Sequence, residues 1–224
     1  MRGAAYSSKN RKTTDPLVCI ASQVRGYTDP HNQLLCKKMN PDEAYARFVL
    51  GKLSGDAIVG LANEWLDGGL YSESLGEIYT ISKPVMSHVG PLFVSVMNEL
   101  GIAAPSIGEA GITIAKFVLT RISDGCPNPL REVEFLYWHV HHELVKEFPD
   151  REYVGDNLGL EHVFCWLREI WDCRDGSRLL YYSELPRDQA EVKFFAHLQE
   201  SAADWLCSTQ QAGGDNTLSR MSHP

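Results

Sequence analysis

The amino-acid sequence predicts an all-α fold of about eight helices, packed as an antiparallel bundle or as stacked helical hairpins, with no significant sheet. First, apolar residues beyond Pro41 recur at the three- and four-residue spacing of amphipathic helices. Second, residues that start and stop helices recur at short intervals, and short connections favour antiparallel neighbours. Third, only residues 178–183 have the composition of a strand, and a lone strand cannot make a sheet.

Four helices are predicted in the first part of this region. They cover residues 42–53, 57–67, 72–81 and 84–100. Asn40-Pro41 places a proline in the first turn of the first helix, and Gly68-Gly69 ends the second because glycine adopts a left-handed conformation easily. Ser72 can cap the third helix, and Pro91 is expected to bend the fourth.

Four more helices are predicted in the second part. They cover residues 106–122, 129–148, 156–171 and 186–207. Ser106 and Glu109 have the spacing of a capping box, and residues 112–122 are apolar on most sides, which is typical of a central helix. Asn128-Pro129 combines a cap with a proline at the first helical position. Asp156 or Asn157 is expected to start the seventh helix.

These elements predict the domain organisation. Residues 39–207 form a single helical domain between a basic segment 1–38 and a polar tail 208–224, and both flanking segments are expected to be disordered. The basic segment has seven basic and two acidic residues, a net charge of +5. Because a helix start follows Met39 directly, the biological chain is expected to begin there, or else residues 1–38 form a flexible basic arm.

Charge and cysteine content restrict the class of function. The chain carries a net charge of −8, and residues 39–224, with 14 basic against 27 acidic residues, carry −13. This balance argues against a nucleic-acid binder that relies on a basic surface. The sequence shows no signal peptide and no run of about 18 apolar residues for a membrane span. Its six cysteines lack C-x-x-C spacing and are expected to be free thiols in a reducing cytoplasm.

The segment Trp138-His139-Val140-His141-His142-Glu143 suggests metal chemistry. On an α-helix His139, His142 and Glu143 share one face, whereas His141 points elsewhere and is expected to pack in the core. The second histidine of a zinc-protease H-E-x-x-H motif is missing, as is the P-C-x-x-C segment of a zinc deaminase. Nucleophile-elbow and phosphate-binding motifs are also missing. We therefore expect no cofactor and no catalytic site, and a metal-dependent enzyme using these three residues is the alternative.

The acidic residues favour protein binding instead. Clusters within residues 132–147 and 150–161 can steer a basic partner, because complementary charge accelerates association. Most of the five tryptophans are expected in the core, and one or two with an exposed edge can anchor a partner. The loop 178–182 either contacts a partner or straps the bundle closed. The candidate binding residues are Glu132, His139, His142, Glu143, Glu147, Tyr181 and Tyr182.

Two segments of the sequence resemble a group of bacterial proteins. The segment 61–75, LANEWLDGGLYSESL, precedes a helix that ends at Asn98-Glu-Leu-Gly-Ile102, and a later phrase runs from Ala115 through Ile122-Ser-Asp-Gly to Pro129. Both are similar to small uncharacterised bacterial all-helical proteins, some of which resemble immunity proteins that bind and block a toxin. The resemblance implies a bacterial cytoplasmic binding protein rather than an enzyme, and it assigns no functional residue.

Together these observations predict a soluble acidic module that binds another protein, as an immunity-type inhibitor that occludes a basic partner does. Neither nucleic acid nor a membrane is an expected partner. A helical scaffold without catalysis is a further alternative, beside the metal-dependent enzyme.

Overall fold

The computed structural model of the chain describes residues 39–212, and the side-chain surroundings of residues 39–209. The predicted basic segment 1–38, and residues 213–224 of the predicted tail, lie outside the described residues. Within residues 39–212 all regular secondary structure is helical, so the predicted all-α class is confirmed. No helix in that range is both long and apolar enough to cross a membrane.

Eight helices make up the described part of the chain. They are α1 (Pro41–Val49), α2 (Gly55–Asp67), α3 (Glu73–Tyr79), α4 (Met86–Glu99), α5 (Ile107–Ser123), α6, α7 (Glu161–Asp175) and α8 (Arg187–Ala212). α6 is composite: it begins with Pro129–Phe135, continues as the π-helical segment Leu136–His141 and ends with the α-helical turn His142–Leu144. α1 packs on α5, and α8 packs on both α5 and α7.

Side-chain caps start several of these helices where the sequence predicts. Asn40, Ser72 and Asn128 each accept a hydrogen bond from a backbone N–H three residues later. Ser106 and Glu109 form the predicted capping box. Local signals therefore place these helix starts correctly.

Several predicted elements differ from the structure, and the first and sixth helices end earlier than predicted, at Val49 and Leu144. α7 begins at Glu161, later than predicted, because the Asp156 carboxylate accepts from the N–H groups of residues 151–153 before it and starts no helix. Residues 178–183 form a loop and not a strand, and the backbone N–H groups of Leu180 and Tyr181 bond to the buried Glu169 carboxylate. α8 continues to Ala212, beyond the predicted end near residue 207.

The buried apolar residues form two hydrophobic clusters, and α1 belongs to both. The first cluster lies between α1, α2, α3 and α4, where the Phe93 ring contacts the rings of Tyr45 and Trp65. The second lies between α1 and α5–α8, and it includes Ala46 of α1 and Phe194 of α8. α1 is therefore the helix on which both halves of the described chain pack.

A set of charges around the buried Glu43, which we call the Glu43 network, joins α1 to α5 and α6. Glu43, only 2% exposed, pairs with Arg47 (2.7 Å) and with Arg121 (2.9 Å). Arg121 also pairs with Glu132 (2.7 Å), so four side chains from three helices are linked. Burial opposes the charge of Arg121, but hydrogen bonds and attraction from Glu43 and Glu132 outweigh it and raise the pKa of the guanidinium.

The cysteines described by the structure include three free thiols, Cys165, Cys173 and Cys207. Burial raises the pKa of Cys165 and of Cys173, and the Cys173 thiol also donates to the Arg187 carbonyl. Cys207 is exposed. Cys19 and Cys36 lie outside the described residues.

The Glu43→Gln substitution should destabilise the fold, because it deprives two partly buried guanidinium groups of the carboxylate they share. We expect the free energy of unfolding to fall by about 3 kcal/mol, as when one partner of a buried ion pair is removed. Urea denaturation followed by circular dichroism measures the change. As a control, Glu191→Gln breaks the more exposed pair with Arg174 and should cost about 0.5 kcal/mol. Equal losses in the two variants would contradict the role assigned to the network.

Candidate functional site

The π-helical segment of α6 is the irregularity from which the candidate site is built. Within it a backbone N–H bonds to the carbonyl five residues back, as the N–H of His142 does to Tyr137. One extra residue therefore occupies the turn, and π-helical turns occur frequently at functional sites. Leu136, Val140 and His141 are buried in this segment.

Four rings gather on the surface between α6 and α7, and we call them the Trp138 cluster. Trp138 is 51% exposed and stacks on Trp171, with ring centroids 5.7 Å apart and an angle of 28° between the planes. The rings of Tyr137 and His142 lie 4.8 Å and 5.1 Å from that of Trp138. The predicted binding residue His142 thus lies beside the only exposed indole of the five tryptophans, all of which fall within the described residues.

A carboxylate lies at the edge of this cluster. The indole N–H of Trp171 donates to one carboxylate oxygen of Glu134 over 2.9 Å. Across the part of the chain that the structure describes, Glu134 makes no ion pair. The Trp171 bond therefore fixes a negative charge beside the stacked indoles without neutralising it.

Beneath the cluster, His141 is buried, as predicted, and pairs with a carboxylate. Its Nε2 lies 3.0 Å from both carboxylate oxygens of Asp150, and its ring lies 5.1 Å from that of Phe164. Asp150 also accepts a hydrogen bond from the N–H of Gly155. Gly155 has a φ of +87°, and a Cβ there would lie 2.5 Å from the Phe164 ring, so this position requires glycine. These contacts fold the loop before α7 back onto the rings.

The His141 and Asp150 side chains could in principle support acid–base chemistry, since a carboxylate orients the imidazole. His141 is only 4% exposed, however, and its Nδ1 is buried without a hydrogen-bond partner. A substrate has no access to this nitrogen in the structure. The observed role of the pair is to hold the loop that contains Gly155.

The three residues of the predicted metal alternative lie in different surroundings. His139 packs against an aromatic ring of the preceding turn at 5.5 Å, and His142 belongs to the Trp138 cluster. Glu143 pairs with Lys146 (2.6 Å) and Lys52 (3.1 Å), whose hydrogen bonds lower the pKa of its carboxyl to about 2. The π-helical turn changes the spacing at which side chains share a face. Residues 39–209 contain no group of three or more His, Cys, Asp or Glu side chains placed to hold a metal ion.

The remaining acidic candidates, Glu132 and Glu147, differ in their surroundings. Glu132 belongs to the Glu43 network and pairs with Arg121. Glu147 is exposed in the turn after α6. Because Glu132 and Glu143 are already paired with cations, Glu147 is the member of this predicted cluster that offers its charge most freely to a partner.

Residues 178–183 lie within the loop between α7 and α8, and we call them the strap. The carboxylate of Glu169, a residue only 1% exposed, accepts hydrogen bonds from the backbone N–H groups of Leu180 (3.1 Å) and Tyr181 (3.3 Å). Both side chains nevertheless face solvent, Leu180 being 74% and Tyr181 48% exposed. The Trp166 ring lies 5.2 Å from that of Tyr181 and supports it.

Tyr182, the second predicted tyrosine, is partly buried and anchors the strap. It is the only residue other than glycine within the described range with a φ in the left-handed region, at +52°. Its hydroxyl oxygen lies 2.7 Å from Nε2 of His197, whose ring stacks on Trp166 and whose Nδ1 lies 2.9 Å from Glu200. Such a backbone conformation persists only where surrounding contacts hold it. Tyr182 and Glu169 therefore fix the strap from two sides.

Part of this arrangement follows from the sequence, which indicates His142, Tyr181 and Tyr182 as binding residues. Neither the exposure of Trp138 nor the role of Glu169 in holding the strap is predicted from it. The π-helical turn has no sequence pattern of its own. Glu169 lies on a helix whose acidic residues the pattern places on a solvated face, so nothing in the sequence indicates its burial.

Comparison with known proteins gives no relative for this chain. No family model, no curated protein and no solved structure matches it. The similarity to immunity proteins stays a prediction, and the function is inferred from the contacts above.

The loop before α7 depends on the Asp156 carboxylate, and hydrogen bonds from the N–H groups of residues 151–153 lower its pKa to about 2. Because these bonds need the ionised carboxylate, they stabilise the loop above the ordinary aspartate range. This contribution should be lost as the pH falls from about 4 towards 2. At pH near 6, hydrogen exchange at residues 151–153 should be about tenfold faster in Asp156→Ala. Asp188→Ala, at an exposed position of α8, is the control, and unchanged exchange in both variants would contradict the assignment.

Replacing Glu169 by Gln should loosen the strap, because a neutral amide oxygen is a weaker acceptor for the N–H groups of Leu180 and Tyr181. The free energy of unfolding should fall by about 1–2 kcal/mol, and exchange of these two amides should accelerate. Chemical denaturation and amide hydrogen exchange measure the two effects. Glu184→Gln alters an exposed carboxylate next to the strap and should change neither quantity. A strap that stays protected in Glu169→Gln would show that another group holds it.

Proposed function

We propose that this protein is an acidic cytoplasmic module that binds another protein and covers a basic surface of it, in the manner of an immunity-type inhibitor. The strap is the observation that carries the proposal. Leu180 and Tyr181 are exposed side by side while the buried Glu169 carboxylate holds their backbone. A preorganised contact loses little conformational entropy on binding, and tyrosine is common among interface hot spots.

Two exposed carboxylates near the strap support a cationic partner, although the strap itself also contains the exposed Arg178. Glu184 is exposed next to the strap in sequence, and Glu200, on α8 beside His197, has a side chain that is 70% exposed. Carboxylates around an apolar centre match the apolar core and polar rim of protein interfaces. The net charge of −13 on residues 39–224 supplies the long-range attraction, which salt screens.

The proposal is tested first by finding the partner. The full chain serves as bait in a lysate of the organism that encodes it, at low salt, with elution by a salt step and mass spectrometry. We expect one stoichiometric partner with a basic surface. A chain that captures no stoichiometric partner would contradict the proposal and favour the scaffold alternative.

The strap is then tested on the purified pair. Joint replacement of Leu180 and Tyr181 by serine should raise the Kd by about tenfold or more, because truncating a hot-spot residue costs more than about 1 kcal/mol. Tyr79→Ser, which changes an exposed tyrosine on α3, should leave the Kd unchanged. Added salt should slow association more than it speeds dissociation. A complex that tolerates both the strap variant and added salt would overturn the proposal.

A further inference from the structure

Two arginines of this chain are held by the same combination of groups, an aromatic ring and a carboxylate. The guanidinium of Arg47 lies 4.2 Å from the Phe135 ring centroid and pairs with Glu43. The guanidinium of Arg174 lies 5.8 Å from the Phe195 ring centroid and pairs with a carboxylate of the facing helix at 2.6 Å. Stacking on a ring together with a charged hydrogen bond is the geometry that a planar guanidinium favours.

The Trp138 cluster repeats this combination at the surface. The Glu134 carboxylate lies at the edge of the Trp171 ring, which in turn stacks on the half-exposed Trp138. Over residues 39–209, no guanidinium or ammonium lies over either indole, and none pairs with Glu134. A ring surface that faces solvent and a partly buried negative charge are therefore both present, and neither is engaged by an arginine or lysine of the described residues.

We propose that Trp138, Trp171 and Glu134 form a binding site for an arginine side chain of another protein. The guanidinium stacks on the exposed part of the Trp138 indole and donates to the Glu134 oxygen that Trp171 does not engage. Tryptophan is the strongest of the ring partners for a cation, and a guanidinium stacks better than an ammonium. This site lies between α6 and α7, whereas the strap lies between α7 and α8, so the two proposals are independent.

The test uses N-acetyl-L-argininamide as a stand-in for an arginine within a polypeptide, titrated into the ¹⁵N-labelled full chain. The indole N–H resonances of Trp138 and Trp171 should shift and saturate. N-acetyl-L-lysinamide should bind about fivefold more weakly or worse, because it lacks the planar fork.

Variants separate the site from general charge effects. Glu134→Gln should weaken binding of the blocked arginine about fivefold or more, since it removes the charge but keeps an acceptor for the Trp171 N–H. Glu77→Gln removes an exposed charge on α3, outside the cluster, and should leave binding unchanged. Trp138→Ala should abolish saturable binding, and the thermal unfolding midpoint of each variant verifies that it is folded.

Two results would overturn the proposal. These are shifts that rise linearly without saturation, and equal affinity of the blocked arginine for Glu134→Gln and the wild type. Arg131 lies three residues before Glu134, so Arg131→Ala reports whether this chain's own arginine competes. Tighter binding of the probe in that variant would support a guanidinium site. The result of this titration is independent of the partner-capture experiment that tests the proposed function, because the probe is a small molecule.

Discussion

The Glu43 carboxylate lies where α1, α5 and α6 meet, and it ties down α1, the helix that both hydrophobic clusters share. Arg47 and Arg121 come from different helices and share this carboxylate, and Arg121 continues to Glu132. A single unpaired charge at this depth would be costly, so the four groups require one another. The buried side of α1 next to these ion pairs includes the small residue Ala46, which can pack at several positions along a facing helix. We infer that the ion pairs fix where α1 lies along α5 and α6.

The same anchoring determines which residues of α6 reach the surface. Near its start, α6 is tied to α1 and α5 through Phe135 and Glu132, which contact Arg47 and Arg121. Near its end, Glu143 pairs with a lysine from the loop after α1. Because these contacts fix both parts of α6 on the side that faces α1 and α5, the extra residue of the π-helical turn is accommodated between the two contact regions. The exposed Trp138 indole, which faces α7, is therefore positioned by contacts on the opposite side of α6.

Much of the fold follows from the sequence because caps and apolar spacing act within a few residues. Ser106 needs only Glu109 to start α5, and the all-α class needs no tertiary information. The candidate site depends on partners far apart along the chain: Glu143 bonds Lys52 across 91 residues. Asp156 shows what cannot be predicted from the sequence alone. Its residue type suits a helix cap, and only the folded loop determines that it bonds the N–H groups before it.

The π-helical turn of α6 also has a consequence for how this chain would align with an evolutionary relative. A turn closed five residues back holds one residue more than an α-helical turn, so it is equivalent to a single insertion within the helix. A homologue with one residue fewer between Phe135 and His142 could keep both ends of the helix as an ordinary α-helix. The one-residue gap would then fall inside a helix, where alignments rarely place one. The presence or absence of this gap would distinguish homologues that retain the exposed indole surface from homologues that share only the helical fold.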